Sequence, residues 1–394
     1  MNTGATYQPT TETRPAPAAA PAMTAASKSR PRLRVQSLLP ARYTQASPQE
    51  LADWIAAART ALGSRLLILG HHYQREEVMR WADARGDSFG LSRLAAGSQA
   101  EFIVFCGVHF MAESADILTG DHQVVILPDL NAGCSMADMA DIDSVEEAWE
   151  ELGAVTDIER LVPITYMNSS AALKAFVGRH GGAVCTSSNA RAVVKWALER
   201  GDRLLFFPDQ HLGRNTAHQL GFSESDLSVW DPRLDLGGLD EREVKASTFL
   251  LWKGHCSVHQ RFTTDHVAQF RANYPGGIVV VHPECSRAVA EAADAVGSTD
   301  FIIATVDAAA PGSVLGIGTE IHLVQRLATE HPDRAVVSLD PIVCPCSTMF
   351  RVDAAHLAWV LENLVEGRIV NQISVDDEVA QWARVALERM LAIV

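Results

Sequence analysis

The chain has 394 residues, of which 47% are hydrophobic and 21% are charged, so it can form about two or three globular domains and is not disordered in bulk. Its 48 acidic residues exceed its 33 lysines and arginines, giving a formal net charge of −15, which argues against the cationic surface that nucleic-acid binding requires. No apolar run approaches the roughly 18–20 residues of a membrane-spanning helix, and the N-terminus lacks the layout of a secretory signal, so we expect a cytoplasmic protein.

The first segment, 1–46, is predicted to be a disordered tail because its prolines and alanines offer no periodic apolar face. The folded part begins at Ser47 and Pro48, which are favoured at the start of a helix. Two amphipathic helices are predicted at 352–365 and 376–393.

Between these ends, short apolar runs alternate with helical stretches. The runs are continuously apolar, which indicates parallel strands covered by helices on both faces. The predicted strands are 66–69, 102–105, 124–127, 161–165, 183–185, 204–207, 278–281, 301–304 and 336–339.

The strands come in threes, and related phrases follow the third strand of each set, at 127–133, 207–213 and 339–344. We therefore predict an α/β fold with three similar βαβαβ three-layer domains in a pseudo-threefold arrangement around a central cavity. Parallel sheets bind ligands at the carboxyl ends of their strands, where polar clusters occur in this chain. The predicted domains are 47–140, 141–260 and 261–350, followed by C-terminal helices at 351–394.

Seven cysteines are scattered along the chain, at positions 106, 134, 185, 256, 285, 344 and 346. Their odd number and wide spacing argue against a disulfide framework. Cys134 and Cys256 follow the first two sets of strands, and Cys344 or Cys346 follows the third. Three thiolates would leave one position of a zinc or iron–sulfur site open, as catalysis by a metal requires.

The other cysteines have simpler interpretations. Cys106 and Cys185 end apolar strands and are predicted to be buried hydrophobic residues. Cys285 directly follows His282, Pro283 and Glu284, so it lies near the site or forms a redox pair with Cys344.

Ten short motifs occur in a characteristic order: GHHYQ at 70–74, GDS at 86–88, GVHFMAES at 107–114, NAGCSMAD at 131–138, YMNSS at 166–170, CTSSNA at 185–190, WKGHCSVH at 252–259, HPEC at 282–285, GST at 297–299 and CPCSTM at 344–349. Together they resemble the quinolinate synthase family, from about residue 50 to residue 365. The resemblance implies three α/β domains and one [4Fe–4S] cluster per chain. Its implied ligands are Cys134, Cys256 and a third cysteine, for which we favour Cys346 over Cys344.

The same resemblance implies the condensation of iminoaspartate with dihydroxyacetone phosphate to quinolinate, with loss of phosphate and water, in NAD biosynthesis. It is compatible with a partner enzyme that supplies iminoaspartate. The implied substrate contacts are His71, Ser88, Tyr166, Met167, Asn168, Ser187, His282, Pro283, Glu284 and Thr299.

Catalysis requires groups that move protons. Glu284 is the expected general base, with a pKa raised by burial, and Tyr73, Tyr166 and His71 are expected acids or relays. The free iron is expected to act as a Lewis acid. Glu320 either lies near the cavity or opens a helix.

Two rival hypotheses use the same residues. A zinc-dependent hydrolase or aldolase would bind zinc through the cysteines and histidines. A non-enzymatic iron–sulfur redox protein would bind the cluster but leave the histidine, tyrosine and glutamate clusters without a role.

Overall fold

The computed structural model describes residues 36–342 and 345–393. These residues confirm the predicted α/β class, because they form three sheets of mainly parallel strands with helices between them. The strands are β1 (Leu66–His71), β2 (Ala84–Gly86), β3 (Phe102–Cys106), β4 (Val124–Ile126), β5 (Leu161–Tyr166), β6 (Ala183–Cys185), β7 (Arg203–Phe207), β8 (Leu227–Trp230), β9 (Phe249–Trp252), β10 (Ile278–Val281), β11 (Ala295–Val296), β12 (Val314–Gly318), β13 (Ala335–Ser338) and β14 (Gln372–Ile373).

One strand order recurs in all three sheets. The orders are β2-β1-β3-β4 in the first sheet, β6-β5-β7-β9 in the second and β11-β10-β12-β13 in the third. Each sheet therefore places its first and third strands in the middle. Strand β8 extends the second sheet in parallel, and β14 extends the first sheet in antiparallel orientation.

Helices connect the strands and cover the sheets. They are α1 (Ala41–Thr44), α2 (Pro48–Leu62), α3 (Glu76–Met79), α4 (Ser88–Gly97), α5 (His109–Leu118), α6 (Ile142–Val155), α7 (Ala171–Arg179), α8 (Ala190–Leu198), α9 (Gln210–Gln219), α10 (Glu241–Ala246), α11 (Thr264–Asn273), α12 (Arg287–Ala292), α13 (Thr299–Ala308), α14 (Ile321–Glu330), α15 (Ala354–Val365) and α16 (Asp377–Ala392). In the described part of the chain, no helix is long and apolar enough to cross a membrane.

The first long helix and the two C-terminal helices form where the sequence predicts them. Ser47 and Glu50 form a capping box at the start of α2, and Pro48 occupies its first turn. The two predicted C-terminal helices correspond to α15 and α16. Strand β14 lies between them and joins the first sheet, which the sequence analysis did not predict.

The tail was predicted to end at residue 46, and this boundary is wrong. Residues 1–35 lie outside the described part of the chain. Residues 41–44, however, form α1, and Tyr43 is buried there against the edge of Trp54, with ring centroids 5.8 Å apart. An aromatic pair of this kind fixes a short helix that has little propensity of its own. The other domain boundaries stay a prediction.

The predicted strand 301–304 is also wrong, because these residues lie in α13. Ser298 caps that helix by accepting the backbone N–H of Phe301, whose side chain is 44% exposed. The real strand is β12, whose apolar run is interrupted by Gly316 and Gly318. A Cβ at either glycine would lie 2.8 Å from a neighbouring side-chain atom, so close packing requires glycine there.

Strand β12 and the unpredicted strands β2, β8, β9 and β11 change the number of strands in each unit. The phrase at 127–133 follows a fourth strand, β4, whereas the phrase at 207–213 follows a third strand, β7. These phrases are therefore not at equivalent positions, contrary to the prediction. The cysteines are equivalent, however, because Cys134, Cys256 and Cys346 follow β4, β9 and β13, which each take the last place in the recurring four-strand order.

The core shows the layers that parallel sheets require. In the third sheet, Val280 contributes to one apolar cluster, and its neighbours Val279 and Val281 contribute to another. Alternate residues of β10 thus face opposite ways, and helices cover both faces. The first and second sheets share one larger core with α15 and α16.

We predict that Gly178→Ala lowers the free energy of unfolding by about 1–3 kcal/mol, the usual cost of an overpacked core. A Cβ on Gly178, in α7, would lie 2.0 Å from the backbone oxygen of Trp382 in α16. Gly97→Ala is the matched control, since no atom lies within 4 Å of its Cβ position. Chemical denaturation of both variants measures the difference, and a Gly178→Ala chain as stable as the Gly97→Ala chain would contradict this packing.

Candidate active site

The carboxyl ends of strands from all three sheets surround one cavity. All of the predicted site residues line it except Pro283, together with hydrophobic side chains such as Phe110 and Met111. Pro283 is buried, and its carbonyl oxygen accepts a hydrogen bond from Asn215 Nδ2 at 2.8 Å. Its predicted contact with substrate therefore has no support from the cavity lining.

Equivalent positions in the three sheets supply equivalent groups. His71 ends β1, Tyr166 ends β5, and His282 directly follows β10. These are the first strands of their sheets, so three different sheets each direct a polar ring toward the cavity.

A second set of equivalent positions supplies hydroxyl groups. Ser88, Ser187 and Thr299 each come two or three residues after the second strand of their sheet, and all three line the cavity. Ser88 and Thr299 are also the first residues of α4 and α13. Helix N-termini and hydroxyl groups are suitable donors for anions.

The three predicted metal ligands each open a short helical turn. In every case the cysteine carbonyl accepts the backbone N–H of the residue four positions later, at 2.9 or 3.0 Å. We call these segments the cysteine turns, at 134–139, 256–261 and 346–351. Their repetition in all three units makes Cys346 the structural equivalent of Cys134 and Cys256, whereas Cys344 lies outside the described residues.

The three thiols line the same cavity and influence one another. Burial, together with the charge of a Cys346 thiolate, raises the pKa of Cys134 to about 12, and backbone N–H groups of its turn oppose this rise. Burial and the nearby Glu284 raise the pKa of Cys256. Such thiols bind a metal only as thiolates, so metal binding releases their protons to solvent.

The remaining described cysteines do not line the cavity. Cys106 and Cys185 are fully buried in β3 and β6, as predicted. The Cys285 thiol is also buried and contacts the backbone oxygen of Gly318 at 3.7 Å. The suggested pairing of Cys285 with Cys344 stays a prediction.

Two buried histidines are held as neutral hydrogen-bond donors. His71 Nδ1 accepts the backbone N–H of Tyr73 at 3.2 Å, and His282 Nδ1 accepts that of Glu284 at 3.4 Å. Burial lowers the pKa of both rings, that of His282 to about 3. A neutral ring whose Nδ1 accepts carries its proton on Nε2, so Nε2 is available as a donor.

Glu284 is the centre of a buried network. Its Oε2 lies 2.7 Å from His259 Nδ1, and it accepts a hydrogen bond from Tyr166. Burial alone would raise its pKa, but the imidazoles of His282 and His259 and these hydrogen bonds lower it to about 2. The predicted raised pKa is therefore wrong, and Glu284 is held as a carboxylate.

The network connects the two predicted catalytic tyrosines. Tyr73 Oη lies 2.9 Å from Thr319 Oγ1, which lies 3.0 Å from His259 Nε2. When His259 Nδ1 donates to Glu284 and His259 Nε2 accepts from Thr319, the donors run in one direction from Tyr73 through Thr319 and His259 to Glu284. Tyr166 donates a hydrogen bond to the same carboxylate.

Sequence reasoning missed His259 and Thr319 as functional residues. His259 is 1% exposed and stacks on His282, with ring centroids 4.5 Å apart. The sequence feature that could have identified His259 is its position in the WKGHCSVH motif, three residues after Cys256. Thr319 directly follows β12, the strand that the sequence analysis misplaced.

One group of side chains has the spacing of ligands for a single metal ion. Ligand atoms of Cys256, His259 and Glu284 all lie within 4.8 Å of one another. Both nitrogens of His259, however, already contact Glu284 and Thr319. A single ion would have to break that network, whereas the three thiols take no part in it.

A comparison with models of known protein families shows which family the chain belongs to. The model of the quinolinate synthetase A protein family matches residues 54–392. The chain belongs to the quinolinate synthase family. Relatives named quinolinate synthase include that of Corynebacterium glutamicum, 57% identical and covering 91% of both chains, and that of Rhodopirellula baltica, 54% identical and covering 89% of this chain and 93% of the relative. A third, from Acidobacterium capsulatum, is 56% identical over 89% of this chain and 95% of its own.

The neutral His282 leads to a prediction about pH. The unfolded chain binds a proton at His282 below its ordinary pKa of about 6.5, whereas the folded chain does so only near 3. Stability should therefore fall as pH falls below about 6.5. Between pH 7.5 and 5 the free energy of unfolding of the wild type should fall by about 2 kcal/mol more than that of His282→Gln, which lacks the imidazole.

Denaturation of both proteins at the two pH values measures this difference. His122→Gln is the control, since His122 is exposed, and it should follow the wild type. Equal losses in the wild type and His282→Gln would show that His282 is not held neutral.

Proposed function

We propose that the chain condenses iminoaspartate with dihydroxyacetone phosphate to quinolinate, with loss of phosphate and water, in NAD biosynthesis. Family membership supports the enzyme class. The observation that carries the substrate assignment is a single cavity that combines three thiols with neutral hydrogen-bond donors. Action in the cytoplasm, on iminoaspartate supplied by a partner enzyme, is part of the same proposal and rests on the sequence.

We propose that Cys134, Cys256 and Cys346 hold one [4Fe–4S] cluster. The donor set fits, because three free thiols from equivalent turns line one cavity and thiolates are the ligands such clusters take. When bound, a cluster with three protein ligands supplies one iron that acts as a Lewis acid on a substrate oxygen.

The proposed substrates carry carboxylate and phosphate groups, which neutral donors can bind. Among the described residues, the lining of the cavity includes no lysine or arginine. Binding would therefore depend on the Nε2 protons of His71 and His282, on Ser88 and Thr299 at the starts of α4 and α13, and on Asn168. Donors of this kind hold anions without adding a fixed positive charge.

The buried network is suited to moving protons between substrate and protein. Burial and the charge of Glu284 raise the pKa values of Tyr73 and Tyr166, so both remain protonated phenols. Each can donate a proton or hydrogen bond at the cavity. Glu284 accepts hydrogen bonds from Tyr166 and His259, and its charge orients both donors. In this proposal the tyrosines are the acids and Glu284 is the acceptor behind them.

The zinc-dependent hydrolase or aldolase is supported by one observation, the short spacing of Cys256, His259 and Glu284. It leaves Cys134 and Cys346 without a role and requires His259 to leave its hydrogen bonds. The redox-protein hypothesis leaves the network from Tyr73 to Glu284 without a role. Both are weaker than the proposed condensation.

A product assay tests the proposal directly. Protein purified without oxygen is mixed with iminoaspartate and dihydroxyacetone phosphate, and quinolinate is measured by chromatography. Omission of either substrate should abolish the product. A chain that holds its cluster but forms no quinolinate from the two substrates would contradict the proposed activity.

Cysteine variants test the ligand assignment. Cys134→Ala, Cys256→Ala and Cys346→Ala should each lose the visible absorbance of the cluster together with activity, because two remaining thiolates hold a cluster poorly. Cys106→Ala is the matched control and should keep both, since Cys106 is buried in β3 away from the cavity. A Cys346→Ala chain that keeps its cluster would transfer the third ligand to another residue.

Glu284→Gln should lower kcat by about 10²–10⁴-fold, the usual contribution of a positioned acid–base group, and leave the cluster content unchanged. Ser88→Ala should lower kcat/KM by about tenfold or less, as expected for the loss of one hydrogen bond to an anion. The change should come mainly from a higher KM. Steady-state kinetics of both variants gives the comparison. Equal effects on kcat would contradict the role of Glu284 in proton transfer.

A further inference from the structure

The third cysteine turn is held by a buried carboxylate from a neighbouring element. Glu320 Oε1 accepts the backbone N–H of Cys346 at 3.2 Å, and Glu320 is fully buried. Glu320 lies on the N-terminal side of α14, directly after Thr319. It belongs to the third sheet but does not line the cavity.

Both oxygens of Glu320 are in use. Oε2 accepts the backbone N–H of His322 at 2.8 Å, which caps α14, and Oε1 also lies 2.9 Å from His322 Nδ1. The carboxylate therefore joins the start of α14 to Cys346. An amide has one acceptor oxygen in place of two, so glutamine cannot make both contacts.

The other side of the same turn is held by the first sheet. The Phe350 N–H closes the turn on the Cys346 carbonyl at 2.9 Å. The Phe350 ring stacks on His322, with centroids 5.8 Å apart, and Arg75 Cζ lies 3.3 Å from the centroid of the Phe350 ring. Arg75 Nε also donates to the Phe350 carbonyl at 3.0 Å. The turn is thus fixed between two sheets.

The second sheet contains a counterpart of Glu320. Asp209 caps α9 and comes two residues after the third strand, β7, just as Glu320 comes two residues after β12. Asp209 Oδ1 accepts the backbone N–H groups of His211 and Leu212, whereas its Oδ2 is buried without a hydrogen-bond partner in the described residues. In the first sheet the same position is Val108, which has no acceptor side chain.

We propose that Glu320 is a positioning residue that holds Cys346 in place as a cluster ligand. The inference rests on the proposed cluster. Ligands that are oriented by hydrogen bonds from outside the site retain metals better. Glu320 does not touch the substrate cavity, so the effect is on the cluster and not on substrate contacts.

The test compares Glu320→Gln with the wild type after anaerobic cluster assembly. We expect the cluster of the variant to lose its visible absorbance about tenfold faster in the presence of an iron chelator, the effect of losing one hydrogen bond to a charged group. Its reduction potential should move to a more positive value, because removal of a nearby negative charge favours the reduced cluster.

Asp353→Asn is the matched control. Asp353 caps α15 and lies 2.9 Å from His356 Nδ1, so it repeats the carboxylate–histidine cap of Glu320 without contacting a cysteine. The cluster of Asp353→Asn should lose its visible absorbance at the wild-type rate, within about twofold. If Glu320→Gln does not fold, Glu320→Asp replaces it, because the shorter side chain keeps the charge but loses the reach to the Cys346 N–H and should also speed the loss of the cluster.

The outcomes separate this inference from the proposed function. A wild-type chain that takes up no iron and sulfide contradicts both. A wild-type chain that holds the cluster, with a Glu320→Gln chain that loses it no faster, contradicts the inference alone. Equally fast loss from Asp353→Asn would show that capping, and not the contact with Cys346, determines retention.

Discussion

The site depends on the convergence of three parallel sheets at their carboxyl-terminal edges. Parallel strands place all of their following loops and helix N-termini at one edge, so each sheet offers a small set of polar groups and a cysteine turn. No single sheet carries more than one of the three thiols that line the cavity. The cavity is therefore complete only when the three sheets pack together, and the shared core and the C-terminal helices α15 and α16 maintain that packing.

Within the cavity, charge is controlled by burial. The pKa of His282 is lowered and those of Tyr73 and Tyr166 are raised, so these groups are neutral donors. Glu284 is the exception, because hydrogen bonds from His259 and Tyr166 stabilise its negative charge. A buried carboxylate with several donors is stable where an unpaired one would not be. The resulting network links both tyrosines to one acceptor.

The sequence predicted most of the fold and the site because both follow from short-range patterns. Apolar runs identified the central strands, and ordered motifs identified the cavity residues from His71 to Cys346. The misplaced strand shows the limit of this reasoning, because Gly316 and Gly318 are required by packing from Val281 and other distant residues. The roles of His259 and Glu320 depend equally on contacts between sheets. The lowered pKa of Glu284 could not be predicted either, since its donors come from distant parts of the chain.

The central claim is that three equivalent cysteine turns assemble one iron–sulfur cluster in a cavity built for anionic substrates. The most direct test is the iron, acid-labile sulfide and zinc content of the chain purified without oxygen. The account predicts about four irons and four sulfides per chain, as in one cubane cluster, with little zinc. About one zinc per chain without sulfide would contradict it and favour a single-ion site at Cys256, His259 and Glu284.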